Sequence, residues 1–328
     1  MTATSMIETR GLRKAFRGTI VLDGLDLAVQ RGQIFALLGP NGAGKTTAVN
    51  ILTTLLKPDA GTALLDGIDV VRNPAAARAA LSLTGQFAAV DPFQTGVENL
   101  AMMAHLAHLP RRTAWARVSQ LIEQFDLVDA AGKMASTYSG GMRRRLDLAI
   151  SLISAPPIVV LDEPTTGLDP RSRNQMWDVV RQLTAAGTTI LLTTQYLDEA
   201  DQLADTVAVL NHGAVVASGT PAELKADLDG DRVELVFEND DVYAAAQRAG
   251  FGPDATFDPE HASVSVPSSE PVRTTRELLA IADRHSLAVS SIALTKPTLD
   301  DVFLHLTGSP VADSTIDSTI TTREETAA

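Results

Sequence analysis

The sequence predicts a two-part fold, in which a larger α/β unit with a parallel sheet precedes a smaller α+β unit. Over the first 220 residues, short apolar runs alternate with helical patterns, which is typical of a parallel sheet covered by helices. The charge changes where this pattern changes. Of the total of −13, residues 1–220 carry 19 − 20 = −1 and residues 221–328 carry 8 − 20 = −12. A length of 328 residues also fits two domains of ordinary size.

Short apolar runs mark the strands of the larger unit. Residues 34–38 form one such run, which ends at Gly39 and is expected to lead from a strand into a glycine-rich loop. The run 158–161 is rich in β-branched residues and is followed by two acidic residues. Two more apolar runs lie at 190–192 and 207–210. An amphipathic helix is predicted from apolar residues at helical spacing, namely Trp115, Val118, Leu121, Ile122 and Phe125.

The smaller unit combines three predicted strands with three predicted helices. The strands are expected at 233–237, 262–266 and 287–294, and the first two helices at 242–249 and 274–284. Pro297 precedes the last helix, with Thr298 as its N-cap and Asp300 and Asp301 in its first turn, where acidic side chains are favourable. Residues 309–328 are rich in Ser and Thr without apolar periodicity, so we expect a disordered tail.

Composition excludes several classes of function. Apolar residues make up 45% of the chain, enough for a sizeable core, and the absence of cysteine excludes disulfides, thiol catalysis and Cys-ligated zinc. The six histidines form no metal-ligand pattern. The acidic C-terminal third argues against a nucleic-acid partner, which needs clustered Lys and Arg. No segment is long and apolar enough to span a membrane, and the N-terminus does not resemble a signal peptide, so a cytoplasmic protein is expected.

A phosphate-binding loop is the strongest motif. Gly39-Pro-Asn-Gly-Ala-Gly-Lys-Thr46 matches Gly-x4-Gly-Lys-[Ser/Thr] and stands between a predicted strand and a helix, as the motif requires. Glycines let successive backbone N–H groups turn toward one anion, and the helix N-terminus adds its dipole. Lys45 would then reach the β- and γ-phosphates, and the Thr46 hydroxyl would bind Mg²⁺. The alternative interpretation is an ordinary glycine-rich turn.

Two further motifs gain meaning from their order in the chain. Asp162 ends the run 158–161 and could hold Mg²⁺ through water, while Glu163 points to the other side and could deprotonate an attacking water. Taken alone, this pattern is not specific, because strands often end in acidic residues. Ser139-Gly140-Gly141 precedes an apolar helix, where it could equally be a generic N-cap.

Together these motifs resemble the ATP-binding subunits of ABC transporters over about residues 6–220. Gln86 stands where the family has its Q-loop, residues 139–141 match the signature, 162–163 match Walker B, and 166–169 match the D-loop. The segment 297–304, Pro-Thr-Leu-Asp-Asp-Val-Phe-Leu, is similar to the C-terminal extension of the daunorubicin/doxorubicin-resistance subfamily.

The resemblance implies a fold and a domain division. The fold is the P-loop NTPase fold of ABC ATPases, an α/β core with a parallel sheet, a helical subdomain at about 90–155 and an antiparallel β subdomain, joined to a small C-terminal α+β domain. The ATP-binding domain would occupy residues 1–222, the C-terminal domain residues 223–308, and the tail residues 309–328.

The resemblance also implies the roles of individual residues. Catalysis would involve Glu163, Gln195 and Lys45, and Mg²⁺ would be held by Thr46, Gln86 and Asp162. The nucleotide would be bound by Phe16, Gly39, Pro40, Asn41, Gly42, Ala43, Gly44, Lys45, Thr46, Thr47, Gln86, Ser139, Gly140, Gly141 and Asp169. Phe16 would stack on adenine, with a core aromatic on the first sheet as the alternative.

Three positions depart from the common family pattern. Tyr138 replaces Leu at the start of the signature, Met142 replaces Gln at its end, and Gln195 replaces the switch histidine. A glutamine amide can still donate a hydrogen bond to the γ-phosphate, but it cannot carry a positive charge. Because Glu163 is intact, we expect an active ATPase.

The function implied is that of an ABC exporter's ATPase subunit, a homodimer with ATP and Mg²⁺ bound between its copies. It would act on a separate multi-span membrane permease, through the Q-loop and residues 97–138, at the cytoplasmic face of the membrane, with a hydrophobic drug or lipid as cargo and no nucleic acid as partner. The alternatives are a soluble ABC ATPase acting on the ribosome or DNA, and an importer subunit.

Overall fold

A six-stranded sheet forms the centre of the larger unit in this computed structural model, which describes residues 5–85, 89–226, 231–259 and 261–307. The larger unit contains strands β1 Ser5–Phe16, β2 Thr19–Gln30, β3 Ile34–Leu38, β4 Ala60–Leu65, β5 Ile68–Asp69, β6 Leu81–Thr84, β7 Ile158–Asp162, β8 Thr189–Thr194, β9 Thr206–Asn211 and β10 Ala214–Gly219. Its helices are α1 Lys45–Leu52, α2 Pro74–Ala79, α3 Gly96–Leu106, α4 Arg111–Gln124, α5 Gly140–Ser151, α6 Pro170–Ala185, α7 Leu197–Leu203 and α8 Pro221–Ala226.

The central sheet has the strand order β10-β9-β3-β8-β7-β6. All neighbours are parallel except β10 and β9. Strands β3, β7 and β8 are buried along their whole length, which explains why they read as continuous apolar runs rather than alternating patterns. The four strands predicted from those runs are confirmed, each within two residues of its predicted ends.

Two further parts flank this sheet, as the fold class predicts. Strands β2, β1, β4 and β5 form an antiparallel sheet in that order. Helices α3, α4 and α5 form the helical part, with short 3₁₀ turns at Val128–Ala130 and Ala135–Thr137. In α4 the predicted apolar stripe is buried except at Trp115, which is half exposed, and Phe125 lies just beyond the helix in the core.

The smaller unit is a four-stranded sheet covered by two helices. Its elements are β11 Asp231–Phe237, α9 Asp240–Ala249, β12 Thr256–Asp258, β13 Ser263–Ser268, α10 Pro271–Arg284, β14 Val289–Thr295 and α11 Leu299–Thr307. The order β12-β13-β11-β14 is antiparallel throughout. The predicted strands and helices of this unit are confirmed with shifts of a few residues at their ends, while β12 was not expected.

The last helix packs on the larger unit. Leu299, Val302 and Phe303 of α11 share a buried cluster with Leu38 of β3 and Leu197 of α7. Thr298 caps α11 as predicted, because its backbone N–H and hydroxyl donate to Asp301 and its hydroxyl accepts from the Asp301 N–H. The domain division at residue 222 stays a prediction, and the predicted tail 309–328 lies outside the described residues.

No helix within the described ranges has both the length and the apolar character that crossing a bilayer requires.

Candidate functional site

The phosphate loop lies at the carboxyl end of β3, and two of its glycines, Gly39 and Gly44, have no room for a side chain. A Cβ on Gly39 would collide with the backbone carbonyl of Leu210, and the Gly39 N–H donates to the Thr194 carbonyl at 3.3 Å. Gly44 has φ +109°, and a Cβ there would lie 2.7 Å from the Val21 carbonyl oxygen. Gly44 also precedes the first turn of α1. The loop is therefore wedged between the central sheet and the antiparallel sheet.

Lys45 extends back over the phosphate loop toward Glu163. Its side chain is buried, and its Nζ donates to the carbonyls of Gly39 at 2.7 Å and Pro40 at 3.2 Å. The same Nζ lies 3.7 Å from Glu163 Oε1. Burial lowers the pKa of Lys45, while the negative charges of Glu163 and Asp162 oppose that shift. The ammonium therefore lies between the loop that would hold phosphate and the carboxylate proposed to activate water.

The two carboxylates at the end of β7 point in different directions, with Asp162 as the last residue of the strand and Glu163 directly after it. Asp162 is buried and accepts a hydrogen bond from the Thr193 hydroxyl on the neighbouring strand β8. Glu163 has φ +50°, an uncommon conformation for a residue with a side chain, and its N–H donates to the Thr193 carbonyl at 3.1 Å. Such strained backbone is held by its surroundings and is concentrated at functional sites. The turn directs Glu163 toward Lys45.

Sheet register places Gln195 at the same edge. Asp162 pairs with Thr193 across β7 and β8, and Leu38 pairs with Thr194 across β3 and β8. Gln195 follows Thr194 directly and is buried. The structure thus gathers the carboxyl ends of three parallel strands, which is where open α/β sheets bind ligands.

The signature residues lie at a different, exposed place. Ser139 caps α5 by accepting from the Met142 N–H at 3.2 Å, and Gly141 packs so closely on Ser172 of α6 that a Cβ would collide with it. Ser139 and Gly140 are exposed. Within the described ranges, no hydrogen bond joins residues 139–141 to residues 39–47 of the same chain.

Asp169 begins α6 beside the signature helix. It is exposed and accepts hydrogen bonds from the Ser172 N–H at 2.9 Å and hydroxyl at 2.6 Å. These bonds lower the pKa of Asp169, so the carboxylate is charged at neutral pH. Asp169 therefore acts at least as the N-cap of α6.

The tyrosine that departs from the family pattern anchors the start of the signature. Tyr138 is buried, and its hydroxyl donates to the Ala130 carbonyl at 2.7 Å. Burial raises the pKa of Tyr138. A Cβ on Gly96 would collide with this hydroxyl, so the small residue at the start of α3 accommodates the larger ring.

Phe16 is an exposed ring at the end of β1. It is 45% exposed, which excludes the alternative of a core aromatic. Lys14 Nζ lies 5.5 Å from the ring centroid and is paired with Asp59 at 2.7 Å. Asp59 also accepts from the Ala15 N–H at 2.7 Å, which fixes the backbone next to the ring. The role of Phe16 in adenine stacking stays a prediction.

Gln86, the Q-loop residue, lies outside the described residues. Among the described residues, no group of three His, Cys, Asp or Glu side chains could form a protein-only metal site. The oxygens of Thr46 and Asp162 are hard ligands of the kind that Mg²⁺ accepts together with substrate phosphates, so this donor set fits that ion.

Sequence reasoning considers Arg144 only as part of the basic run 143–145 beside the signature, and it misses Asp147 and the charged pair that the two residues form on α5. Both side chains are buried against the segments that carry the site, with 12% and 4% of their side-chain surfaces exposed. The only signal in the sequence was an Arg and an Asp three residues apart on a predicted helix. Such a spacing usually indicates an ion pair on the solvated face of a helix.

Comparison with known proteins places these features in one family. The ABC transporter family model matches residues 22–166. The chain is 49% identical over 313 residues to the daunorubicin/doxorubicin resistance ATP-binding protein DrrA of Streptomyces peucetius, covering 94% of both chains. It is 38% identical over 312 residues to the Nod factor export ATP-binding protein I of Ralstonia nicotianae, covering 95% of this chain and 96% of that one.

A solved structure described as the ATP binding subunit of an ABC transporter has the same fold. It superposes with a TM-score of 0.62 at 26% identity, covering 68% of this chain and 93% of that chain. The chain belongs to the ABC transporter family, as the ATP-binding and ATP-hydrolysing subunit of an exporter.

Proposed function

We propose that two copies of this chain bind ATP and Mg²⁺ between them and drive efflux of a hydrophobic drug or lipid through a separate multi-span permease. The observation that carries the catalytic part is the convergence of Lys45 and Glu163, 3.7 Å apart, at the mouth of the phosphate loop. The cargo class rests on the relatives, one named for daunorubicin/doxorubicin resistance and another for Nod factor export.

Nucleotide binding would use the loop and its flanks. The N–H groups of residues 39–47 would surround the phosphates, with Lys45 neutralising charge on the β- and γ-phosphates. Thr46 and Asp162, with Gln86, would hold Mg²⁺, which when bound offsets charge on the phosphate oxygens. Phe16, held by the Lys14–Asp59 pair, would offer its exposed face to adenine.

Hydrolysis would depend on Glu163. Its carboxylate would accept a proton from a water molecule as the water oxygen attacks the γ-phosphorus and the bond to the bridging oxygen breaks. The positive φ of Glu163 sets the direction of that carboxylate. Gln195, at the end of β8, would donate its amide N–H to a γ-phosphate oxygen.

The exposed signature supports a homodimer. Ser139 and Gly140 stand at a solvent-facing helix N-terminus, and among the described residues neither of them forms a hydrogen bond with the phosphate loop of its own chain. Such a terminus binds anions, and the family resemblance implies that it meets the ATP of the second copy. Asp169 would reach across the same interface.

Two exposed apolar side chains lie close together, one of them seven residues after Gln86 in the sequence. Phe93 is 81% exposed and Met134 is 51% exposed, and they lie close together because Thr95 pairs with Met134 in a β-bridge. Exposed apolar side chains that lie together, unlike ones scattered singly, mark interaction surfaces. We infer that the permease docks here, which would place the chain at the cytoplasmic face of the membrane.

Co-purification tests the assignment to a transporter. The tagged full-length chain, extracted with native membranes in detergent, should bring down one multi-span membrane protein in near-equal amount. Phe93→Ser should abolish that recovery, whereas Val272→Ser, at a 66% exposed site in the C-terminal unit, should not. Recovery of ribosomal proteins or DNA-binding factors instead would contradict the proposal and favour the soluble alternative.

A further inference from the structure

One arginine on the signature helix contacts both the turn that carries Glu163 and the residue that precedes Gln86. Arg144 Nε donates to the Pro164 carbonyl at 2.9 Å, and Nη2 lies within hydrogen-bond distance of the Asp162 and Glu163 carbonyls, at 3.4 and 3.3 Å. Nη1 donates to the Gly85 carbonyl at 2.6 Å. A single guanidinium therefore holds three consecutive carbonyls of the catalytic turn and the residue before Gln86.

Its partner Asp147 holds the other end of the Q-loop segment. Asp147 Oδ1 accepts from the Ala89 N–H at 2.7 Å, and its Oδ2 lies 3.4 Å from Arg144 Nη1. Burial raises the pKa of Asp147, and the Ala89 N–H and Arg144 oppose that shift by favouring the charged form. The pair thus binds Gly85 and Ala89, the residues on both sides of segment 86–88.

The energetic role of such a pair is specific to its geometry. Two buried charges repay their desolvation only when their remaining donors and acceptors are satisfied, and here the backbone of the active site satisfies them. The guanidinium spreads its N–H donors over a rigid planar fork, so that Nε, Nη1 and Nη2 each face a different carbonyl, whereas an ammonium has its three donors on one nitrogen. The contacts are therefore better explained by positioning of those backbones than by stabilisation of α5 alone.

We propose that Arg144 and Asp147 are positioning residues that couple the signature helix and the Q-loop segment to the catalytic turn at Glu163. Through them, a movement of α5 on contact with the second copy's ATP shifts the Glu163 turn and residues 85 and 89 together. The inference rests on the proposed roles of Glu163 and of the signature. Neither Arg144 nor Asp147 would contact the reacting atoms, and both would act on hydrolysis through the backbone that they hold.

The chain contains a matched control beside Arg144. Arg145 has the same exposed side-chain fraction, 12%, but its Nη1 donates to the Phe125 carbonyl and Asp126 carboxylate, both 3.2 Å away, in the helical part. Arg144→Lys and Arg145→Lys both keep the charge, so both variants should fold. Only the first loses contacts to the hydrolytic segments.

The test measures kcat, KM for ATP and the thermal unfolding midpoint of the full-length chain with Mg²⁺. Arg144→Lys should lower kcat at least fivefold with KM changed less than twofold, while Arg145→Lys keeps both within twofold of the parent. Asp147→Asn, which keeps an acceptor for Ala89 but removes the charge facing Arg144, should also lower kcat at constant KM. In the double variant the two losses should not multiply, because each breaks the same linkage.

The proposal is overturned if Arg144→Lys retains parental kcat, if the two lysine variants lose activity equally, or if the losses at Arg144 and Asp147 multiply. Glu163→Gln, measured in parallel, separates this failure from failure of the proposed mechanism. If Glu163→Gln abolishes turnover while Arg144→Lys does not affect it, only the positioning role is wrong.

Discussion

Under the proposed mechanism, glutamine in place of the switch histidine changes what the end of β8 would contribute to hydrolysis. Gln195 is buried next to Thr193 and Thr194, whose backbones are fixed by pairing with β7 and β3. Its neutral amide offers a hydrogen-bond donor at every physiological pH, whereas a histidine would change its charge near pH 6.5. The site therefore replaces a titratable group by a fixed dipole.

This difference predicts the behaviour of two variants. Gln195→Ala should lower kcat roughly 10- to 100-fold, the worth of one hydrogen bond to a charged group in the transition state. Gln195→His should stay active and introduce a dependence of kcat on pH about pH 6.5, which the parent lacks. Steady-state rates between pH 5.5 and 8.5 check both expectations. A parental rate for Gln195→Ala would remove this residue from the mechanism.

Single residues also show where sequence reasoning succeeds and fails at the site. The phosphate loop, Asp162 and Glu163 could be predicted because their chemistry requires fixed residue types next to each other in the chain. The pair Arg144 and Asp147 could not, since its partners Gly85, Ala89 and residues 162–164 are distant in sequence. The pair also contacts these residues through their backbone N–H and carbonyl groups, which all residue types share apart from the N–H that proline lacks, so the contacts leave no pattern in the sequence.

Among the elements, α11 shows how a C-terminal segment supports the ATP-binding unit. The sequence predicts its start and its cap, because Thr298 and Asp301 are local signals. The packing of α11 depends on contacts with residues at least 75 positions earlier in the chain, from Leu224 back to Ala36, and so carries no local signature. The strands of the central sheet can be predicted because their signal is local: burial on both faces makes each of them a short apolar run. Strands β1 and β2 mix polar and apolar residues with register shifts, which hides their full length.

Loss of the aromatic ring on α11 should destabilise the larger unit. Phe303 is 2% exposed and lies in the cluster that includes Leu38 of β3. Phe303→Ala should lower the free energy of unfolding by about 3–5 kcal/mol, the usual cost of removing a buried phenyl ring. Leu294→Ala on β14, where the side chain is 58% exposed, is the control and should change it by less than about 1 kcal/mol. Denaturant titration followed by tryptophan fluorescence measures unfolding of the larger unit in both variants, because Trp115 and Trp177 both lie in that unit. Equal stabilities of the two variants would contradict the packing role of α11.

At the scale of the whole molecule, the ATPase motifs and the excess acidic charge lie in different parts of the sequence. The chain carries its excess acid in the C-terminal third, away from the phosphate loop and the signature. The ATP-binding unit is nearly neutral, so it can approach a second copy without strong repulsion of net charge. One unit thus holds the whole set of ATPase motifs, divided between two faces of a single chain, and in the proposed homodimer a complete site would combine the faces of two chains.

The most direct measurement of that account is Glu163→Gln followed by ATP turnover and sedimentation with and without ATP and Mg²⁺. Turnover should fall about 10²- to 10⁴-fold, the usual worth of a general base. Because ATP would then bind without being hydrolysed, the variant should sediment as a dimer with ATP and as a monomer without it. Turnover within threefold of the parent, or a monomer at saturating ATP, would contradict the account.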